Sequence, residues 1–381
     1  MRFIYLTVSS IEVAKRLPFI DALRGLAALW VALFHLIYIV PMSPPEWAGV
    51  LRLGGFGVPL FFIVSAFSLC HTMPLHHESN RTAAFYLRRI FRIAPLFYFM
   101  IALHTAYAIY RGGPPFPLKV YFANASFLFN LIPGQQEGIV WASWAVGVEM
   151  LFYVAFPLIY RMTSSIRAAA AFFVITIILS AAANYLVPKS VFQYLFLKHL
   201  PVFALGILAF RLCGQIKTLR YKKLIGLSLM AAAVAVMAAT MRINATLVEY
   251  HIACAGLFFF IVALYLCPIS LLVNRVTTNL GRVSFSFYLL HPIIIYAMTP
   301  TWKNIHTAIH GDGVAYLVCA AIMIAVVTVC SEILYRAIER PGIVVGNKII
   351  SKLFMEKATA QNPRKDPEPE KNALPGLSLT P

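Results

Sequence analysis

Charged residues are scarce in this sequence, and acidic residues are the scarcest. Of 381 residues, 12% are charged, with 14 Asp and Glu against 32 Lys and Arg. Hydrophobic residues make up 60% of the chain, and the mean hydropathy is +0.78. A soluble globule of this length needs far more polar surface. The composition therefore excludes an ordinary soluble domain and places the chain in a lipid bilayer.

Cysteine is also infrequent and unpatterned. The six cysteines form no CxxC pair and no Cys/His spacing typical of a metal site, so no metal is predicted, and we expect them to pack as small apolar side chains. The excess of basic residues predicts no nucleic-acid partner. Membrane topology and contact with anionic lipid headgroups account for most of it.

Long apolar runs dominate what is present. A run of about 20 apolar residues crosses a hydrocarbon core of ~30 Å. The predicted fold class is therefore all-α, a polytopic membrane protein with about ten transmembrane helices. The predicted spans are residues 18–41, 48–70, 93–112, 138–160, 167–187, 192–212, 223–241, 246–267, 283–300 and 313–335. A shorter stretch with two asparagines, residues 120–131, is predicted to be re-entrant or interfacial.

Basic residues concentrate in alternate connections, which predicts that both termini are cytoplasmic. Residues 1–16 are predicted to be a cytoplasmic segment that is retained, because the first long apolar run starts after it. Residues 17–342 form the predicted membrane domain. Residues 343–381 are predicted to be a disordered cytoplasmic tail, because their Pro-rich and charged composition cannot bury a core.

The first span carries charged and titratable side chains. Arg24 and His35 are eleven residues apart, which returns a helix to within roughly 20° of the same face about 16 Å further along. Asp21, three residues before Arg24, is placed to pair with it. Charge inside a span is costly and usually marks a pathway or site. We expect both residues to line one wall of one cavity, against the simpler interpretation of an anchored arginine and a packed histidine.

Three arginines cluster at the start of the third predicted span. Arg88, Arg89 and Arg92 have spacings of three and four, and guanidinium groups bind phosphates bidentately. Anchoring to lipid headgroups is the competing interpretation. In the fourth span, the carboxyl of Glu149 lies in an apolar run and needs a partner, for which His35, Arg24 and His291 are candidates.

The ninth predicted span carries a polar stripe. Ser284, Tyr288 and His291 recur at spacings of four and three on one helix face. Pro292 leaves a backbone carbonyl without its helical partner, and that carbonyl needs another. Polar packing between helices is the alternative to a functional site here.

Five segments together resemble the acyltransferase 3 family of bacterial membrane proteins, which O-acylate cell-envelope sugars and related acceptors. In the order of that family they read "FIDALRGLAALWVALFH", "GVPLFFIVSAFSL", "LRRIFRIAP", "WAVGVE" and "VSFSFYLLHP". The resemblance covers about residues 17–341. It implies that His35 is the essential histidine, Arg24 its companion, Arg89 and Arg92 the acyl-donor arginines, and Glu149 the buried acid.

Two positions depart from the usual family pattern. Ala145 stands where serine is usual and Ala66 where glycine follows Ser65, so no serine is predicted as acyl carrier near residue 145. Many relatives append an SGNH hydrolase-like domain, and this sequence resembles the stand-alone form. Residues counted with the predicted pocket are Asp21, Ser65, Ser284, Tyr288 and His291.

The resemblance and the residues predict one reaction. Acyl-CoA, above all acetyl-CoA, is expected to be the donor substrate, with no permanently bound cofactor. Arg88, Arg89 and Arg92 are expected to hold its phosphates, Arg24 to bind the arm or the oxyanion, and His35 to act as base, oriented by Glu149. Direct attack and a covalent acyl-enzyme both remain open. The acceptor is expected to be an extracytoplasmic or lipid-linked saccharide, and the location the bacterial inner membrane.

A transporter or exporter is the alternative of a different class. An interior with arginines suits an anionic or sugar-linked lipid, and His35 with Glu149 would then form a proton relay. No internal sequence repeat supports this interpretation.

Overall fold

The computed structural model describes residues 17–40, 49–75, 78–216, 220–240 and 246–355, and within these ranges the chain is helical without a strand. Nine helices there are long and apolar enough to span a membrane. A tenth span forms if Arg275–Arg282 and Ser284–Ala297, which meet at 77°, are taken as one broken span. The predicted all-α fold with about ten spans is confirmed. The predicted N-terminal segment 1–16 lies outside the described residues.

The helices are numbered in chain order. They are α1 Pro18–Ile39, α2 Gly57–Thr72, α3 Arg81–Tyr110, α4 Leu118–Ala125, α5 Trp144–Met162, α6 Ile166–Leu186, α7 Phe196–Ile216, α8 Lys222–Thr240, α9 Leu247–Leu266, α10 Arg275–Arg282, α11 Ser284–Ala297, α12 Thr299–Ala308, α13 Asp312–Leu334 and α14 Arg340–Ile350. Short turns precede α2 at Gly49–Phe56 and α7 at Lys189–Phe192. A π-helical turn, Tyr335–Glu339, joins α13 to α14.

The backbones of helices α1 and α10 are in close contact where the two helices cross. A Cβ at Gly281 would lie 1.8 Å from the carbonyl oxygen of Asp21, and one at Gly25 would lie 2.4 Å from the carbonyl oxygen of Thr277. Only glycine permits this approach of two backbones. The crossing brings the first two turns of α1, with Asp21 and Arg24, against the short helix α10.

Helix α3 begins twelve residues before its predicted start at residue 93. The side chain of Asn80 caps it by accepting a hydrogen bond from the backbone N–H of Ala83 at 3.0 Å. The arginines of α3 therefore lie within a 30-residue helix rather than at its beginning. Hydropathy placed the start too late because it takes charged residues as the end of a span. The helix continues through these residues, since their side chains are paired or packed.

The fourth predicted span also begins later than expected. Residues 138–143 form a turn instead of helix, because Gly138 and Ala142 have positive φ angles of 77° and 67°. The stretch 120–131, predicted to be re-entrant or interfacial, forms α4 and a short turn, Phe129–Leu131. The side-chain oxygen of Asn124 accepts a hydrogen bond from Ile139 N at 2.9 Å, which ties this stretch to the turn.

Residues 343–355, predicted as part of a disordered tail, are helical. Helix α14 packs on α3, where a Cβ at Gly346 would lie 2.5 Å from Phe91 Cβ and one at Gly342 would lie 2.7 Å from the carbonyl oxygen of Phe91. Small residues at this contact give the segment a packing partner, which composition alone does not reveal. The remaining tail residues, 356–381, lie outside the described residues.

The main core is formed by α1, α2, α3, α5, α7, α9 and α11, with buried side chains such as Phe62, Phe97, Phe152 and Phe203. A second cluster joins α1 to α11, α12 and α13 around Trp302 and Tyr316. Helices α6 and α8 bury little of their surface. The polar residues predicted from the sequence therefore lie at the centre of the bundle, where α1, α2, α3, α5 and α11 meet.

Candidate active site

A cavity with an empty volume of about 660 Å³ lies at that centre. We call it the arginine cavity. Its polar lining includes Arg24, Arg89, Arg92, Glu149, Tyr153 and Tyr288. Ser65 and Ser284 line it as well. The structure thus brings together residues from five sequence segments, as the motif pattern predicts.

The carboxyl of Glu149 is held from two helices. Its Oε1 accepts hydrogen bonds from the Ser65 hydroxyl on α2 and the Tyr153 hydroxyl on α5, each at 2.5 Å. The two hydroxyls lie 3.3 Å apart. Among the described residues, no hydrogen bond joins Glu149 to His35, Arg24 or His291, its candidate partners from the sequence. Sequence reasoning missed Tyr153, although its position four residues after Glu149 places it on the same helix face.

The arginines of α3 divide between two environments. The guanidinium of Arg89 lies over the rings of Phe85 and Tyr153, with centroid distances of 5.9 Å and 5.8 Å, and lines the arginine cavity. Arg88 points elsewhere and forms an ion pair with Glu78. The predicted cluster of three therefore contributes two arginines, Arg89 and Arg92, to the cavity.

A second cavity, of about 1010 Å³, adjoins the first. The two share Arg24 and Arg92 as lining residues. We call the second one the Asp21 cavity, after the carboxylate that lies 3.5 Å from the Arg24 guanidinium, as predicted. Its other polar residues include His71, Arg282 and Glu339. The cavity lining thus combines four cationic or titratable nitrogen groups with the carboxyls of Asp21 and Glu339. Its guanidinium groups are suited to an anionic ligand.

The imidazoles of His35 and His291 form a pair that the sequence did not predict. His35 Nδ1 lies 2.8 Å from His291 Nε2, and the two rings are nearly parallel, with an interplanar angle of 9°. Helix α11 provides His291, which is fully buried, whereas His35 is partly exposed and also contacts the ring of Trp141. The pair links residues 256 positions apart in the sequence.

The backbone carbonyls next to His291 determine the tautomers of the two histidines. His291 Nδ1 lies 3.3 Å from the carbonyl oxygen of Phe287 and also faces that of Tyr288, the carbonyl that Pro292 leaves without a helical N–H. A carbonyl only accepts, so His291 Nδ1 carries the proton. In neutral His291, Nε2 then accepts from His35 Nδ1–H. His35 Nε2 remains with a free lone pair.

Tyr288 stands between the histidine pair and the arginine cavity. Its ring lines the cavity and lies 5.7 Å from the His291 ring, and its hydroxyl donates a 2.8 Å hydrogen bond to the carbonyl oxygen of Ala142. Arg24 lines the arginine cavity, but His35 does not. The sequence expected one cavity wall carrying both residues, and the structure instead separates them by Tyr288.

A further cavity lies among the turns at residues 134–139 and 190–194 and is called the loop cavity. It has an empty volume of about 1040 Å³, and its polar residues include Gln136, Glu137, Gln193 and Tyr194. The Tyr194 hydroxyl donates a 2.5 Å hydrogen bond to Glu137. Ile139, which also lines it, lies two residues before Trp141, the residue in ring contact with His35. Sequence reasoning did not single out these residues, because they lie in turns without a motif.

Residues 17–336 match the family described as an acyltransferase domain, so the chain belongs to the acyltransferase 3 family. The prediction of that family from five motifs is confirmed. The match extends from the start of α1 to the π-helical turn after α13 and therefore includes every residue named above for the arginine cavity and the loop cavity, whereas Glu339 of the Asp21 cavity lies beyond it. No solved structure matches the chain at a significant level.

Three relatives show how the similarity is distributed. A putative membrane-bound transacylase of Komagataeibacter xylinus is 27% identical over 371 residues, covering 86% of this chain and 83% of the relative. A putative acetyltransferase of Acidianus two-tailed virus is 29% identical, covering 38% of this chain and 42% of its own. The peptidoglycan O-acetyltransferase of Listeria monocytogenes is 26% identical, covering 38% of this chain and 24% of its own. The chain thus spans less than half the length of two of these relatives.

Proposed function

We propose that this protein is a membrane O-acyltransferase that moves an acyl group, acetyl above all, from cytoplasmic acyl-CoA to a hydroxyl of an extracytoplasmic or lipid-linked saccharide. The observation that carries this proposal is the His35–His291 pair, which leaves one imidazole lone pair free and which Tyr288 connects to the arginine cavity. Its expected location is the bacterial inner membrane.

The donor occupies the Asp21 cavity and the arginine cavity. Phosphates of CoA are bound by Arg24 and Arg92, which border both spaces, and by Arg282 at the far end. The pantetheine arm extends towards Tyr288. Arg89, held over the Tyr153 ring, provides positive charge where the thioester oxyanion develops.

His35 acts as the general base. Its Nε2 takes the proton of the acceptor hydroxyl as the hydroxyl oxygen attacks the thioester carbonyl. The carbon–sulfur bond then breaks, and the CoA sulfur leaves with the proton from the imidazolium. His291 holds the required tautomer of His35, the part that a buried acid plays in hydrolase triads. Glu149 orients Tyr153 and Ser65 in the donor cavity instead of orienting His35.

The acceptor saccharide binds in the loop cavity. Amide, carboxylate and phenol groups, here Gln136, Glu137, Gln193 and Tyr194, are suited to hydrogen bonding with sugar hydroxyls. Ile139 of this cavity lies two residues before Trp141, whose ring contacts that of His35. The basic residues predict that this end of the bundle is outside the cell. Donor and acceptor then approach His35 from opposite sides of the membrane.

Proton-coupled transport is less well supported. A relay needs hydrogen bonds that connect His35 to Glu149, and those of Glu149 in the described chain go to Ser65 and Tyr153. Acyl transfer releases CoA thiol and transport does not, so a thiol measurement distinguishes the two functions.

Purified protein is incubated with radiolabelled acetyl-CoA and envelope saccharide, and free thiol and labelled saccharide are measured. We expect both products from the unaltered protein and neither from His35→Ala. His310→Ala, which replaces an exposed histidine remote from the cavities, is the matched control and should retain activity. A His35→Ala protein that inserts normally and remains active would overturn the proposal.

A further inference from the structure

An apolar groove lies between α1, α8 and α9, away from the arginine cavity. It has an empty volume of about 1210 Å³, and every side chain that lines it is apolar, including Leu29, Trp30, Met237 and Phe260. Helix α8 buries little of its own surface, and Val234, which lines the groove, is 63% exposed. A groove of this kind within the membrane-spanning part of the bundle accepts a hydrocarbon chain.

A cationic cavity continues the groove at one end, and we call it the lysine cavity. Its empty volume is about 1930 Å³, and it is lined by Arg52, Lys189 and Lys198. The one carboxylate in its lining, Glu249, accepts a hydrogen bond from the backbone N–H of Thr246 as part of a helix cap. No ion pair within the described residues joins any of the three cations to a carboxylate.

Lys198 is the most enclosed of these cations. Its ammonium lies 4.8 Å from the centroid of the Tyr250 ring and 5.9 Å from that of Phe192. The Tyr250 hydroxyl is hydrogen bonded to His199 at 2.8 Å, which fixes the ring under the ammonium. A partly enclosed ammonium that lacks an ion pair in the described chain attracts an anion strongly, because little water competes there.

Three cavities adjoin in a fixed order. Gln193 lines both the loop cavity and the lysine cavity, and Leu53 lines both the lysine cavity and the apolar groove. From the loop cavity onward, the surface is thus first rich in hydrogen-bonding groups, then cationic, then apolar. This order matches the three parts of one kind of amphiphile: a sugar, a phosphate and a long hydrocarbon chain.

We infer that the acceptor is a saccharide carried on a lipid phosphate, with its sugar in the loop cavity, its phosphate at Lys198 and its hydrocarbon chain in the apolar groove. The inference rests on the proposed function for the role of this ligand as acceptor. The binding site itself depends only on the three adjoining cavities.

Binding of a polyprenyl phosphate tests the inference without any acyl transfer. The full chain is placed in nanodiscs of phosphatidylcholine, and affinity is compared for the polyprenyl phosphate and the matching unphosphorylated polyprenol. We expect the phosphate to bind at least about tenfold more tightly, since hydrogen bonds to a charged group are worth roughly that much. Lys198→Gln should remove this preference, and Lys303→Gln, at an exposed lysine outside the cavities, should keep it.

A second pair of variants tests the position of the hydrocarbon chain. Ala238 lines the apolar groove and Ala239 does not, although both are exposed on α8. Ala238→Trp fills the groove and should weaken binding of both polyprenyl ligands about tenfold. Ala239→Trp introduces the same side chain next to the groove and should leave the affinity unchanged.

Two results would overturn the inference. One is equal affinity of Lys198→Gln and unaltered protein for the polyprenyl phosphate. The other is competition by phosphatidylglycerol at equal concentration, which would make the site a general one for anionic lipids. Tight, Lys198-dependent binding by a protein that releases no thiol from acetyl-CoA would instead leave the site intact and reject the proposed function.

Discussion

The His35–His291 contact gives one imidazole a defined tautomer, and His291 acts through His35 rather than on the substrate. Such a positioning residue needs an acceptor atom at the place of Nε2. His291→Gln retains an amide oxygen that can accept from His35, whereas His291→Leu does not. We expect His291→Leu to lower kcat by about 10² to 10⁴, the range that general-base catalysis contributes, and His291→Gln to restore part of it. Steady-state rates at saturating acetyl-CoA measure this, and equal loss in the two variants contradicts the tautomer assignment.

The adjacent arginines Arg88 and Arg89 provide a matched pair for donor binding. Arg89 lines the arginine cavity, while Arg88 pairs with Glu78 outside it. Arg89→Ala should raise KM for acetyl-CoA about tenfold or more, because a charge-assisted contact is lost. Arg88→Ala should leave KM unchanged and lower thermal stability instead, because it breaks a partly buried ion pair. A KM effect of Arg88→Ala equal to that of Arg89→Ala would reject the division of the arginines.

The Glu149 site shows what the sequence reveals about single residues. The motifs identified Arg24, Arg89, Arg92, Glu149 and Ser65, and all five line the arginine cavity. Of the two partners of Glu149, Tyr153 lies four residues further along the same helix, but Ser65 was not predictable from that segment, because it lies 84 residues away on another helix. The histidine pair was hidden for the same reason, since side-chain periodicity relates residues within one helix only.

Helix packing carries the next prediction, at the crossing of α1 and α10. A methyl group at Gly281 meets the backbone of Asp21 at 1.8 Å, and backbone cannot move aside cheaply. Gly281→Ala should therefore destabilise the protein by about 1–3 kcal/mol, as overpacking does, and displace Arg24 in the donor cavity. Thermal unfolding in detergent measures the loss. Gly214→Ala is the control, because nothing lies within 4 Å of that position in α7, and its stability should equal or slightly exceed that of the unaltered protein, since alanine is favoured over glycine in a helix.

The ends of helices were less predictable than their existence. Hydropathy located the apolar centre of each span, because about 20 apolar residues have few other stable environments. It misplaced the start of α3, where the arginines are packed or paired, and it placed residues 343–355 outside the folded domain. It also placed residues 283–300 in a span that starts at residue 283, whereas α11 has 14 residues and meets the preceding helix α10 at 77°. Packing between helices decides these features, and a single sequence does not show it.

The orientation of the helix bundle in the membrane determines the sides from which donor and acceptor reach the site. The distribution of Lys and Arg predicts that Lys303 is outside the cell and Arg161 inside. One cysteine is introduced at each of these positions, in a protein whose own cysteines are replaced by alanine. The two introduced cysteines should differ in their reaction with a membrane-impermeant maleimide. Intact cells should label the cysteine of Lys303→Cys, and the cysteine of Arg161→Cys should be labelled only after lysis. The opposite pattern would invert the bundle and the proposed direction of transfer.

Transfer across a sealed bilayer tests the central claim most directly. The protein is reconstituted in liposomes with radiolabelled acetyl-CoA trapped inside and saccharide acceptor outside, with His35→Ala as the inactive reference. Because some molecules insert with their donor cavities facing the lumen, we predict labelled saccharide outside the sealed vesicles and none with His35→Ala. Labelled saccharide that forms only when both substrates are on the same side would contradict a donor and an acceptor that meet at His35 from opposite faces of the membrane.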